Sequence, residues 1–468
     1  MGKIRIFRRH IPTQIILIGA IETLLLGASF YVGVFLRFGS EQAQVTDDLG
    51  PVIYRAIVFA GIMVLSLAAM GLYQIGLRER RLGIILRLVV GFGVGVILLM
   101  LTFYVFPTLY VGRGVLALAV LVALLFIILM RPFLLKVLDI ESIKPRVLVL
   151  GTGKKAASII KRMRRRSDRR GFRLAGFVHH DGENCEITHH GSILQVRGSL
   201  ARYARAHQID EIVVALDERR NKLSLNELLK CRLAGIEVLD LATFFERETG
   251  AVALDLVDPS WLIFGGGFRR GFLRAQIKRL LDICIALVLL VLTLPVLAVT
   301  ALLIVLDDGW KKPVFYSQTR VGERGMVFKV LKFRSMRVDA ESDGARWARK
   351  NDTRVTRIGA MIRKCRIDEL PQIFNVLRGE MSFVGPRPER PEFVTELEKN
   401  LLYYRERHAV KPGITGWAQL RYPYGASERD AREKLKYDLF YVKNHSVGFD
   451  FLIMLQTVEV ILFGKGAR

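Results

Sequence analysis

Cysteine is scarce: Cys185, Cys231, Cys284 and Cys365 are the 4 in 468 residues, and no pair has zinc-ligand spacing. That excludes a disulfide framework and a structural zinc site, and it reads as a reducing compartment. Acidic residues are also in deficit, 44 Asp and Glu against 70 Lys and Arg, for a formal charge of +26. Such a surplus calls for an anionic partner. Because long apolar runs accompany it, the partners read are membrane lipid headgroups and a phosphorylated substrate, with no nucleic acid. Internal repeats and long low-complexity linkers are missing, so the chain reads as two or three folded units with the apolar content in blocks.

Four apolar stretches, Ile11 to Phe38, Val52 to Tyr73, Leu82 to Phe106 and Gly114 to Leu135, each reach the roughly 20 residues a helix needs to cross hydrocarbon. The basic residues before the first, Lys3, Arg5, Arg8 and Arg9, mimic a secretion signal, but the run is too long for one and further spans follow. Arg8 and Arg9, then Arg78, Arg80 and Arg81, then Arg131 and Lys136 fall on one side, and Asp47 and Asp48 on the other. Both ends of this unit are therefore expected in the cytoplasm. Glu22 and Arg87 interrupt the spans; besides a functional reading, Glu22 can pair with a neighbouring helix and Arg87 can snorkel. The Gly91, Gly93, Gly95 run predicts close helix approach.

From about residue 145 short apolar runs alternate with polar helical ones: Arg146 to Gly151, Arg173 to Val178, Glu211 to Leu216 and Ile236 to Leu239. That rhythm predicts a small Rossmann-like parallel α/β domain. Its turn Gly151-Thr-Gly153-Lys-Lys-Ala156 has the place of a dinucleotide-binding turn. Two readings stand, a bound nucleotide or a nucleotide fold kept for structure or regulation, since Asp181 is poorly placed to hold a ribose. The basic helix that follows, where Asp168 is the lone acid, reads as a face toward acidic headgroups. Gly265-Gly-Gly267 is the expected hinge.

A further apolar segment, Ile283 to Leu306, has basic residues on both flanks, Arg274, Lys278 and Arg279 before it and Lys311 and Lys312 after. A crossing puts one flank on the wrong side, and Pro295 near its middle removes a helix hydrogen bond and bends the axis. The expectation is a re-entrant helix over 276–306; an ordinary fifth span with a proline kink is the other reading.

Asp368 and Glu369 precede a helix start marked by Pro371, where adjacent acids serve as caps. Basic residues crowd them: Lys329, Lys332, Arg334, Arg337, Arg363, Lys364, Arg366, Arg387 and Arg390. Such a field holds a carboxylate ionised and clamps a diphosphate, and a carboxylate attacks phosphorus to give an acyl phosphate.

With these stretches the chain resembles the bacterial sugar transferase family, polyprenyl-phosphate hexose-1-phosphate transferases with one re-entrant helix. The matching runs are Lys278-Arg279-Leu-Leu-Asp282 with Pro295 beyond it, Gln318-Thr-Arg320-Val-Gly322, Lys332-Phe-Arg334-Ser-Met, Asp368-Glu369-Leu-Pro371-Gln372, Phe383-Val-Gly385-Pro386-Arg387-Pro388, Pro412-Gly413-Ile-Thr-Gly416-Trp417-Ala-Gln419, and Lys443-Asn-His with Leu462-Phe-Gly464. The long-form members resembled here begin exopolysaccharide or O-antigen synthesis, and the Ser260-Trp-Leu-Ile-Phe linker is similar to theirs.

The resemblance implies that Asp368 is the nucleophile on the β-phosphate of a UDP-hexose, releasing UMP, with Glu369 positioning or moving a proton and Mg²⁺ at this dyad. It further implies that Arg387 contacts the nucleotide, that Lys332 and Arg334 steady the phosphates, that Gln372 belongs to the substrate site, and that Lys278 and Arg279 receive undecaprenyl phosphate, with Asp282 paired to Arg279. A homodimer in the bacterial inner membrane, its active site facing the cytoplasm, is implied as well. Leu294 before Pro295 and Leu420-Arg-Tyr-Pro-Tyr424 after Gln419 depart from the family pattern, the second as for a different sugar. The expected fold is a four-helix transmembrane unit (1–138), a Rossmann-like domain (139–258), a linker (259–274) and a mainly α transferase domain (275–468). The rivals are a nucleotide-sugar dehydratase, which needs a Tyr-x-x-x-Lys pair that no tyrosine here supplies, and a non-catalytic scaffold of a polysaccharide assembly complex.

Overall fold

The computed structural model describes residues 4–6, 9–11, 13–39, 52–70, 72–73, 81–110, 112–137, 144–164, 169, 171–179, 184–187, 193–196, 198–218, 225–257, 271–338, 340, 353–422, 425 and 427–462. Asp47, Asp48, Arg78, Arg80, Asp168, Asp181, the Ser260–Gly267 stretch, Pro423, Tyr424, Phe463 and Gly464 lie outside the described residues. The chain divides into two compact units, Met1–Thr249 and Gly250–Arg468.

The first unit opens with a short antiparallel pair, β1 (Ile4–Ile6) and β2 (Arg9–Ile11), and continues into α1 (Thr13–Phe38), α2 (Val52–Ala69), α3 (Arg81–Val105) and α4 (Arg113–Val137). All four helices contain stretches long and apolar enough to cross a membrane. Leu26, Phe30, Phe59, Met63, Leu99 and Ile127 form their common core, while Leu24, Ile97 and Leu121 remain exposed, as on helices apolar all round.

Glycine sets the closest approaches. A Cβ on Gly95 would stand 2.5 Å from Met63 Sδ, one on Gly91 3.0 Å from Leu67 Cδ2, and one on Gly33 2.7 Å from the Ala119 nitrogen. Gly91 and Gly95, one turn apart, form the small-residue stripe against α2; Gly93 contacts nothing there. Glu22 pairs as expected, 3.1 Å from Arg131 and accepting from the Tyr73 hydroxyl at 2.6 Å. Arg87 does not snorkel. It is buried and donates to the Met70 carbonyl at 2.9 Å, because the carbonyls at the end of α2 lack helical partners.

The rest of this unit is a parallel sheet in the order β5-β4-β3-β6-β7, built from β3 (Arg146–Leu150), β4 (Arg173–Val178), β5 (Ile193–Leu194), β6 (Glu211–Val214) and β7 (Glu237–Asp240). The helices α5 (Lys154–Arg162), α6 (Leu200–Ala206), α7 (Leu225–Leu233) and α8 (Leu241–Thr249) connect or follow the strands. Val147, Leu148, Val149, Ile212 and Val213 are all fully buried, so these strands read as continuous apolar runs rather than alternating ones.

The second unit starts with α9 (Phe272–Asp308), 37 residues that run through Pro295 without interruption. The hairpin β8 (Phe315–Val321) and β9 (Val327–Phe333) follows. Then come α10 (Arg357–Lys364), α11 (Gln372–Arg378), β10 (Ser382–Val384), α12 (Pro391–Asn400), β11 (Gly413–Thr415), α13 (Trp417–Arg421), α14 (Glu428–Asn444) and α15 (Val447–Leu462). Trp417 packs among Phe440 and Phe449 and donates its indole N–H to the Gly250 carbonyl at 2.7 Å.

Candidate active site

Between α10 and α11 the chain turns sharply at Arg366, whose φ of 59° and ψ of 17° lie in the left-handed region. For a residue with a Cβ this conformation costs about 1–2 kcal/mol, and here it feeds directly into a one-turn 3-10 helix, Ile367–Glu369. Ile367 and Leu370 face the cluster made by Leu297, Ile304, Phe333 and Ile362, which leaves Asp368 and Glu369 to point elsewhere. Neither acid caps a helix: α11 begins at Gln372, with Pro371 as its N-cap and no side-chain cap.

Both carboxylates turn inward. Glu369 Oε1 accepts from Lys332 Nζ at 3.0 Å and from Arg387 Nη2 at 2.6 Å. Asp368 is buried, and its Oδ1 has no hydrogen-bond partner. Their acidities split accordingly. Burial opposes the charge on Glu369, but Arg387 and Lys332 outweigh it and hold this carboxyl well below the usual range. Burial first, and then the charge of Glu369, pushes Asp368 up against the pull of Lys332, Arg363 and Arg366. The basic field therefore holds one acid ionised and leaves its neighbour poised. Two adjacent carboxyls driven apart in this way make this pair the candidate chemical site.

Other parts of the unit hold the four groups in register. Asn375, fully buried on α11, accepts from the Leu331 N–H at 2.9 Å and donates to the Lys329 carbonyl at 2.8 Å, which fastens β9 and hence Lys332 beside the dyad. Arg387 is anchored through its main chain, since Arg407 Nη2 donates to the Arg387 carbonyl at 2.9 Å while Arg407 pairs with Asp438 at 2.8 Å. Val321 and Arg320 donate to the Glu389 and Pro388 carbonyls at 2.9 and 3.2 Å, joining the hairpin to the same segment.

Arg334 follows β9 and is buried, as is Gln372 in the first turn of α11. Neither Arg407 nor Asp438 is signalled by local sequence, because their meaning lies in a contact across 31 positions.

The two glycine-containing runs around this segment have a steric basis. β10 and β11 pair in parallel, Ser382 with Gly413 and Val384 with Thr415. A Cβ on Gly385 would fall 2.3 Å from the Lys411 carbonyl oxygen and 2.8 Å from the Gly413 nitrogen. These obstacles are backbone and cannot swing aside. Gly385→Ala is expected to cost about 1–3 kcal/mol, read as a lower thermal midpoint of the full-length protein in detergent; an unchanged midpoint contradicts the steric account.

Lys278, Arg279 and Asp282 form a separate cluster, and none bonds to the dyad. Lys278 Nζ donates to Asp450 Oδ2 at 2.6 Å, and Arg279 donates to the Val376 and Leu377 carbonyls at 2.5 and 2.7 Å. Asp282 does not pair with Arg279. Its Oδ1 accepts from the Ser382 hydroxyl and the Phe383 N–H, both at 3.1 Å. The cation turns to the open carbonyls at the end of α11, and the anion to donors at the start of β10.

Comparison with known sequences places two matches along the chain. A model of the bacterial sugar transferase family matches residues 273–464, and one described as a CoA-binding domain matches residues 68–230. A UDP-N-acetylgalactosamine-undecaprenyl-phosphate N-acetylgalactosaminephosphotransferase of Aeromonas hydrophila is 43% identical over 52% of this chain and 56% of its own length. An undecaprenyl-phosphate glucose phosphotransferase of Komagataeibacter xylinus is 33% identical over 69% of this chain and 60% of its own length. The chain thus spans under two thirds of either relative. An exopolysaccharide production protein of Rhizobium leguminosarum bv. phaseoli is 42% identical over 41% of this chain and 98% of its own length.

Proposed function

Because the chain belongs to the bacterial sugar transferase family, we propose that it transfers a hexose 1-phosphate from a UDP-hexose to undecaprenyl phosphate, giving undecaprenyl-diphosphate-hexose and UMP. The names of the Aeromonas and Komagataeibacter relatives support the acceptor. The observation that carries the mechanism is the buried, unpartnered oxygen of Asp368 beside a Glu369 held by Lys332 and Arg387.

In this reading an oxygen of ionised Asp368 attacks the β-phosphorus. The bond to the bridging oxygen breaks, and UMP leaves with the electron pair. A phosphate oxygen of undecaprenyl phosphate then displaces Asp368 from the same phosphorus, which restores the carboxylate and forms the diphosphate. Glu369 keeps Lys332 and Arg387 where charge builds on the transferring phosphoryl group; Arg387 also meets the nucleotide, while Arg334 and Gln372 complete the donor site.

Among the described residues no group of three or more His, Cys, Asp or Glu is arranged for a metal. Two adjacent carboxylates, one with an unpartnered buried oxygen, still fit Mg²⁺, which takes one or two carboxylates and completes its shell with phosphate and water. Asp368 and Glu369 would hold it, and it would neutralise phosphate charge. Lys278 and Arg279 are engaged within the protein, so the role proposed for them is to fix α9 to the core at the level where the acceptor phosphate arrives.

The packing of α9 supports the re-entrant topology and an active site on the cytoplasmic face of the inner membrane. Arg279 and Asp282 engage α11 and β10, while Leu297 and Ile304 pack on Phe333 and Ile362, next to the charged Lys332 and Arg363. A straight helix of this length spans about 55 Å, beyond the roughly 30 Å of hydrocarbon. Crossing would strand one set of these contacts on the far side. A cysteine near residue 310 should resist an impermeant reagent added from outside, and labelling would reverse the topology. We read the protein as a homodimer acting at the first membrane step of exopolysaccharide or O-antigen synthesis, with domains at 1–138, 139–258 and 275–468 joined by a linker at 259–274.

The experiment is UMP release by the purified full-length protein given undecaprenyl phosphate and each of a panel of UDP-sugars. One or a few donors should release UMP. Silence across the panel, together with capture of assembly proteins, would favour the scaffold.

A further inference from the structure

The turn Gly151-Thr-Gly153 follows β3 and opens α5, where a nucleotide fold seats the diphosphate of its cofactor on unpaired helix N–H groups. Here those groups are already taken. Asp217, in the segment after β6, accepts from the Lys154 N–H through Oδ2 at 2.9 Å and from the Lys155 N–H through Oδ1 at 2.8 Å. Lys155 closes over it, donating from Nζ to the Asp217 carbonyl at 3.2 Å.

The space that a fingerprint glycine clears for pyrophosphate is filled as well. A Cβ on Gly153 would fall 2.1 Å from Asp217 Oδ2. Gly151, at φ +116°, lies so near the next strand that a Cβ would stand 2.8 Å from the Ala215 carbonyl oxygen and 3.2 Å from the Leu216 nitrogen. Thr152 between them is fully buried and bonded to His179 at 2.8 Å. Close approach of residues 215–217 thus accounts for both glycines with no ligand present.

The match to a CoA-binding domain implies a diphosphate-bearing cofactor, and these residues do not fit one at this turn. Two carboxylate oxygens stand where two phosphate oxygens would, and a second anion brought beside them would meet both occupied donors and a like charge. We propose that Asp217 is the resident anion of this turn: the domain binds no nucleoside diphosphate or coenzyme there while Asp217 is in place, and removal of its carboxylate uncovers a diphosphate site. The inference stands independently of the transferase reading, since it concerns the other unit.

Hydrogen exchange of the full-length protein in nanodiscs tests it, read on the peptide carrying the Lys154 and Lys155 amides, with coenzyme A and ADP as probes. In the wild-type protein neither probe should slow exchange there. In Asp217→Gly the two amides should exchange about tenfold faster, and ADP should slow them again. Slowing of the wild-type peptide by either probe overturns the proposal, as does a glycine variant whose exchange matches wild type or does not respond to ADP. If Asp217→Gly does not fold, Asp217→Asn gives the same readout at one amide, because its amide group offers one acceptor in place of two; wild-type exchange at both amides in that variant also overturns it.

Discussion

Asp368→Asn should abolish UMP release, a loss of at least about 10³-fold, while the protein stays folded. The amide matches the carboxyl in shape, but its neutral oxygen lacks the negative charge that would make a carboxylate a nucleophile toward phosphorus. Stability separates this outcome from a trivial one. Burial and Glu369 raise the Asp368 pKa above its ordinary value of 3.8, so between those two values the native state binds more protons than the unfolded chain, and stability falls as pH rises through that window. Above that window the ionised Asp368 is therefore a cost to the fold that asparagine removes, and there the variant's thermal midpoint should equal or exceed wild type. A folded Asp368→Asn protein that still releases UMP would eliminate Asp368 as nucleophile.

The same shift sets the pH dependence. In the proposed mechanism activity needs Asp368 ionised, so the acid limb of kcat/KM should lie above the usual aspartate range. Glu369→Gln removes the negative neighbour and should move that limb to lower pH, while kcat falls because Lys332 and Arg387 lose their shared anchor. A limb that stays in place would mean that another group titrates there.

Arg407→Leu is the second change of large effect, expected to cost about 3–5 kcal/mol. Arg407 and Asp438 are both buried, 2.8 Å apart. Without the guanidinium, Asp438 keeps a charge that burial already disfavours, with no cation bonded to it. The Arg387 carbonyl also loses its donor at 2.9 Å, so any protein that survives should show a raised KM for the UDP-sugar as Arg387 drifts. Denaturant unfolding in detergent reads the first effect. Arg407→Leu with Asp438→Leu should recover much of the lost stability, because both buried charges then go together; a double variant no more stable than the single one would refute the pair as the cause.

What could be read without coordinates is local. Runs of about 20 apolar residues announce membrane helices because hydrocarbon thickness is a length, and α1 to α4 lie where those runs do. Alternating buried strands and polar helices announce a parallel sheet because each strand must be covered on both faces. Asp368 and Glu369 stood out because their basic surroundings are close in sequence.

The destinations of the charges were decided by tertiary structure. Arg87 turned to the Met70 carbonyl instead of the interface, Arg279 to the end of α11 and Asp282 to the start of β10. Asp217 filled a turn that reads as a nucleotide site. Even the dyad, legible as two adjacent acids, divided into a held Glu369 and a poised Asp368 only once Lys332, Arg387 and burial were brought around it. Apolar periodicity is satisfied by any partner of the right shape, so sequence alone conveys it, whereas an ion pair or hydrogen bond depends on atoms about 3 Å apart that the chain supplies from distant positions and only the folded structure brings together.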